Sequence, residues 1–163
     1  MVIWMLVFLS AAVFYDWQEF RIPNWLTGIG AVITTGICLW KGVEIADIAA
    51  GVLLPFFICI GLFYLGCLGG GDIKLLMVCG IPLGTYVFRF LVVSFLWNGV
   101  YAIIFLWRHG SFRLRLSYFI HYISECLESR RLIPYQNRLQ KSEEDQIHFS
   151  TGVLLAYLTL FVF

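Results

Sequence analysis

The sequence predicts an all-α polytopic membrane protein of about six transmembrane helices, with a cytoplasmic loop before the last of them. Three observations carry that prediction. Of 163 residues, 61% are hydrophobic and 13% charged, against about 45–50% and about 25% in soluble domains. The apolar residues fall in long runs that approach the ~20 residues a helix needs to cross a bilayer core. The few charges gather in short segments between those runs. A soluble fold has too little polar surface to cover such a chain, whereas lipid demands an apolar exterior and a helix satisfies its own backbone.

The first run, 2–14, has no basic region ahead of it and no small-residue cleavage site, and reads as a span rather than a removed signal peptide. It is short, which puts Asp16 at the interface or slightly inside it. Runs 24–40, 48–68, 73–88, 90–107 and 149–163 follow. The fourth and sixth are also short, and Gly80, Pro82 and Gly84 are expected to shorten or bend the fourth. Pro23 interrupts what precedes it, and Asn24 is placed to cap the second helix. Segment 108–148 is the sizeable polar stretch. Its first half, 112–123, mixes apolar and basic residues as an interfacial helix does, and its second half, through Pro134 to Glu143, Glu144 and Asp145, reads as a solvated loop. The chain is expected to be one membrane domain, 1–163, with 108–148 as a cytoplasmic loop within it and no internal repeat.

Charge placement predicts orientation. With the N-terminus outside, Arg21, Lys74 and seven basic residues of 108–148 face the cytoplasm, while Lys41 and Arg89 face out. Nine basic residues inside against two outside satisfy the positive-inside rule. Asp16 and Asp72 then share the cytoplasmic boundary. The cysteines (Cys38, Cys59, Cys67, Cys79, Cys126) show no C-x-x-C pairing and read as small apolar residues. His109, His121 and His148 lack ligand spacing, so no metal is expected. Trp17, Trp25, Trp40, Trp97 and Trp107 lie near span ends, as interfacial belts do.

Asp16 and Asp72 are the chemically informative residues. An ionisable group near the hydrocarbon is costly enough that a functional role is its default reading. The plain alternative for Asp16 is a helix-end residue paired with Arg21. Asp72 follows Gly69, Gly70 and Gly71, which surrender packing at the end of a well-formed span. Glycine permits positive φ and close approach of another backbone, as an extended substrate lying beside a carboxylate requires; the alternative is a glycine turn with Asp72 as N-cap of the fourth helix. Two neighbouring carboxylates share a proton, one partner staying ionised and the other protonated. The ionised one can take a proton from water, the water can attack a scissile carbonyl, and the protonated one can donate to the carbonyl oxygen. This is the chemistry of an aspartic protease, with no cofactor. Lys74 and Arg21 are candidates to support the site, with positive-inside anchoring as the alternative. A different class is a small membrane carrier or assembly protein binding ions or protons at the same aspartates, against which stands the lack of an inverted repeat.

Two motifs resemble those of the type IV prepilin peptidases, GxGD-type intramembrane aspartic proteases. The first is Asp16-x5-Ile22-Pro23-Asn24 followed by Trp25-Leu26-Thr27, and the second is Gly69 through Leu75. The resemblance implies six or more membrane helices in the inner (cytoplasmic) membrane. It also implies Asp16 and Asp72 as catalytic aspartates, Gly69, Gly70 and Gly71 shaping the second loop, and cleavage of the basic leader of prepilins or pilin-like precursors at the cytoplasmic face. The bilayer and the precursor are the partners it implies; no nucleic acid is expected, and the sequence carries no signal for oligomeric state. The paired-cysteine region of large bifunctional members is missing, so N-methyltransferase activity is not expected and the chain looks like a short peptidase-only member. The last span opens with Ile147-His148-Phe149-Ser150-Thr151-Gly152 instead of the prolines of many relatives, and 108–148 is long for a connecting loop. The acidic residues 143–145 are a candidate attractor for a basic leader, with a solvated loop as the alternative. Presenilin and signal peptide peptidase also use Tyr-Asp with Gly-x-Gly-Asp, but their C-terminal Pro-Ala-Leu is missing here.

Overall fold

The computed structural model describes residues 1–108 and 148–161. Among these residues the regular elements are all helical: α1 (Val2–Glu19), α2 (Asn24–Trp40), α3 (Ile45–Tyr64), α4 (Gly70–Gly80), a 3-10 turn (Gly84–Tyr86), α5 (Val87–Arg108) and α6 (Phe149–Phe161). The expectations for 109–147, including the interfacial helix, the acidic residues 143–145, His109, His121 and Cys126, lie outside the described residues.

Two stretches, Ile45–Tyr64 and Gly84–Phe105, are long and apolar enough to cross a membrane, and Asn24–Trp40 and Phe149–Phe161 are shorter apolar helices. The fourth run is where expectation and structure part. Instead of one span over 73–88, α4 covers only 11 residues, rising about 16 Å, roughly half the ~30 Å hydrocarbon core. The chain then turns through Pro82 and the 3-10 segment into α5. The first helix differs in the other direction. It runs past Phe14 to Glu19, so Asp16 stands on a helix and not in the loop after it.

Polarity is arranged for lipid. Large apolar residues such as Val32, Leu53, Phe57, Leu96 and Ile103 point outward, while Asp16, Thr27, Thr34, Ser94, Asn98 and Ser150 are buried. That inversion suits an exterior of hydrocarbon, where backbone and polar side chains must be satisfied inside. The core joins Met5, Phe8, Leu9 and Ala12 of α1 to Leu75, Leu76 and Cys79 of α4, Phe90 and Leu91 of α5, and Val153, Ala156 and Tyr157 of α6. Cys38, Cys59 and Cys79 are buried free thiols, as small apolar residues would be, whereas Cys67 is exposed.

Glycine decides one helix crossing. Pro55 lies inside α3 and has no N–H to give the carbonyl four residues back, that of Gly51. Gly51 and Gly80 face each other so closely that a Cβ on either would collide with the other's carbonyl oxygen. The short α4 can therefore close directly onto the α3 backbone. At its far end α3 stops in a Schellman motif: Gly66 is left-handed at φ 72, Gly66 N–H donates to Phe63 O at 2.9 Å and Cys67 N–H to Leu62 O at 2.9 Å. This turn sends the chain back toward Gly69 and Asp72.

Candidate active site

Asp16 is buried at the junction of α1 with the first turn of α6. Ser150 donates twice to its Oδ2, from Oγ at 2.5 Å and from the backbone N–H at 3.3 Å. Ser150 is the second residue of α6, so its N–H is one of the donors that no helix can satisfy internally. Asp16 caps that helix from a different one, and the positive end of the α6 dipole favours the carboxylate. His148 Nδ1–H donates to the Asp16 backbone carbonyl at 3.0 Å, in the tautomer that contact requires, and lies 3.9 Å from Oδ2.

The imidazole of His148 is held between two rings. Trp17 stacks at 5.1 Å and Phe20 at 4.6 Å between centroids, each inclined by 19°. Phe20 reaches this position by ending α1 in the left-handed region, φ 50 and ψ 27. For a bulky residue that conformation costs on the order of 1–3 kcal/mol and persists only where the surroundings enforce it. Trp17 Nε1–H also donates to Thr151 Oγ1 at 3.1 Å. Trp17, expected as an interfacial residue, is thus a strut between α1 and α6.

Asp72 is held locally. Gly69 is the residue before α4 and Asp72 is its third helical residue, so Asp72 does not cap the helix by position as one sequence reading had it. Its Oδ2 reaches back to accept Gly69 N–H at 3.2 Å, the return half of a capping box. Asp72 stands ahead of the apolar run that starts at Ile73. Burial pushes its carboxyl up to about 6, with the nearby Asp16 charge as the second cause and the Gly69 hydrogen bond opposing both.

The remaining expected residues fall into place unevenly. None of Gly69, Gly70 and Gly71 has positive φ, so the left-handed freedom expected of them is not what they supply. A Cβ at Gly69 would sit 3.0 Å from Asp72 Oδ2, one at Gly71 would lie 3.5 Å from Ile22 Cβ in ordinary contact, and one at Gly70 would meet only Phe63, at 3.6 Å. Pro23 precedes α2 and no side chain caps that helix; Asn24, expected to do so, instead accepts Lys74 Nζ–H on Oδ1 at 2.7 Å. Lys74 therefore ties α4 to α2 and pairs with neither aspartate. Arg21 is exposed and makes no ion pair with Asp16 among the described residues.

Sequence reasoning missed Ser150, His148 and Thr151. The available signal was a polar trio opening an apolar run, which read only as missing prolines. Among the described residues no group of His, Cys, Asp and Glu could hold a metal ion.

Residues 3–106, which contain both acidic motifs, match the model of the type IV leader peptidase family. The chain belongs to the type IV leader peptidase family. No curated protein and no solved structure matches it. The chain is accordingly a protease with membrane helices, and its family implies a prepilin-like substrate. The matched stretch stops short of α6, so the side chains that embrace Asp16 lie beyond it.

Proposed function

We propose that the protein is an aspartic endopeptidase of the inner membrane that removes the basic leader from prepilin or pilin-like precursors at the cytoplasmic face. Asp16 and Asp72 are its catalytic pair, and six helices with an external N-terminus carry them. The observation that supports the reading best is that the Asp16 carboxylate of α1 lies near enough to Asp72 of α4 to help raise its carboxyl, after burial, and neighbouring carboxylates are the arrangement a shared proton needs. The basic-residue count of nine against two supports the orientation. The lack of a side chain at Gly69, whose Cβ would sit 3.0 Å from Asp72 Oδ2, keeps that oxygen clear, Gly70 and Gly71 carry the turn into α4, and the Lys74–Asn24 contact next to Arg21 and Pro23 braces α4 against α2.

The test is cleavage of a co-expressed prepilin-like substrate by wild type, Asp16→Asn and Asp72→Asn, with membrane insertion verified for each. Leader removal by wild type and its loss in both variants is the expected result. A variant that cleaves near the wild-type rate removes that aspartate from the mechanism. A wild-type chain inert toward several leaders favours the ion-binding carrier or assembly protein instead.

A further inference from the structure

The two aspartates are embedded asymmetrically. Asp16 Oδ2 accepts two donors from Ser150, one of them a hydroxyl and the other a backbone N–H that the first turn of α6 cannot satisfy internally. Asp72 accepts a single backbone N–H, from Gly69. Hydrogen bonds donated to a carboxylate stabilise its charged form, and a helix N-terminus adds to that preference. Two ionisable side chains stand near Asp16: His148, whose Nδ1 lies 3.9 Å from Oδ2, just ahead of α6, and Asp72, on α4.

From this we infer that Ser150 is a positioning residue that holds Asp16 as the ionised base of the pair and leaves Asp72 as the acid. The inference rests on the protease reading and assigns its roles. Ser150 occupies Oδ2, and Asp16 Oδ1 accepts no hydrogen bond from the described residues, so Oδ1 is the oxygen that takes a proton from water. The water oxygen bonds to the scissile carbon while the carbonyl oxygen takes the proton of Asp72. Asp16 then passes its proton to the amide nitrogen as the C–N bond breaks, and a hydroxyl of the tetrahedral intermediate returns a proton to Asp72. Both groups end as they began. The upward displacement of Asp72 agrees with its part as the acid.

The experiment compares Ser150→Ala and Ser150→Thr with wild type over a pH series, using a purified prepilin-like substrate in detergent. Ser150→Ala is expected to lower kcat about tenfold near neutrality, leave KM nearly unchanged and move the acid limb of kcat/KM to higher pH. Ser150→Thr, which keeps the hydroxyl, is expected to restore both. Movement of the alkaline limb instead, or of neither limb, overturns the assignment.

A readout independent of cleavage covers a variant that fails to fold. Carboxyl 13C titration of labelled wild-type protein, with signals assigned by their loss in Asp16→Asn and Asp72→Asn, is expected to show Asp16 ionised where Asp72 still carries its proton. The reverse order overturns the inference even if cleavage is normal. The expected order in a chain that cuts no leader sinks the protease reading and the catalytic roles with it, and leaves Ser150 as a structural partner of Asp16.

Discussion

Asp16 is gripped by another helix, whereas Asp72 is gripped by its own. At the α1–α6 junction, Ser150, His148, Thr151, Trp17 and Phe20 interlock around the end of α1. At the start of α4, a single hydrogen bond from Gly69 restrains Asp72. On the proposed roles, a base that must keep one oxygen aimed at water benefits from a rigid mount, and an acid that must follow the substrate carbonyl benefits from a lighter restraint. The strained Phe20 fits the first arrangement, since distortion of that size survives only where packing over-determines it.

Loss of either carboxylate should weigh most, whatever its mount. Asp16→Asn and Asp72→Asn should each reduce leader cleavage by about 10²-fold or more, measured as initial rate on a purified precursor. If only one does, the comparison is between a catalytic and a structural carboxylate, and the paired mechanism fails.

The next effect sharpens it through pH. Asp72 is raised to about 6, so it carries its proton below that value and loses it as pH rises through it. If it is the acid, kcat/KM of wild type should fall on the alkaline side of about 6 in the free enzyme. Asp16→Asn removes one cause of the rise and should lower the Asp72 titration, read by 13C carboxyl shifts. A titration unmoved by that change would mean the two carboxylates do not sense each other.

Glycines provide a third contrast. Gly51→Ala and Gly80→Ala force a Cβ into a facing carbonyl and should cost about 1–3 kcal/mol by overpacking, seen in thermal unfolding in detergent. Gly70→Ala lies on a helix with room for a methyl and should be neutral or stabilising by up to ~1 kcal/mol. Equal losses at Gly70 and Gly80 would show that the glycines before Asp72 answer to more than space.

The smallest effect concerns Lys74→Met. It deletes the exposed 2.7 Å contact with Asn24 and should lower stability by about 1 kcal/mol or less, with cleavage near the wild-type rate. A large loss of cleavage with normal unfolding would return Lys74 to the chemistry.

Much of this molecule was legible in one dimension. Hydropathy is a local property, so runs of apolar residues located the helices, and α2 begins and ends where its run does. Pro82 with its flanking glycines announced the break after α4, although the shortness of that helix depends on the Gly51–Gly80 crossing. Asp16 and Asp72 stood out because charge beside hydrocarbon is costly wherever it occurs. Their mounts did not. Ser150 lies 134 positions from Asp16, and nothing in the spacing of either names the other. Composition and periodicity, which are read residue by residue, sufficed for a helical membrane protein and its two conspicuous carboxylates. Only the packing of α6 against α1 decided that Asp16 would cap a distant helix, because an unsatisfied N–H acquires a particular acceptor only when two helices meet in space.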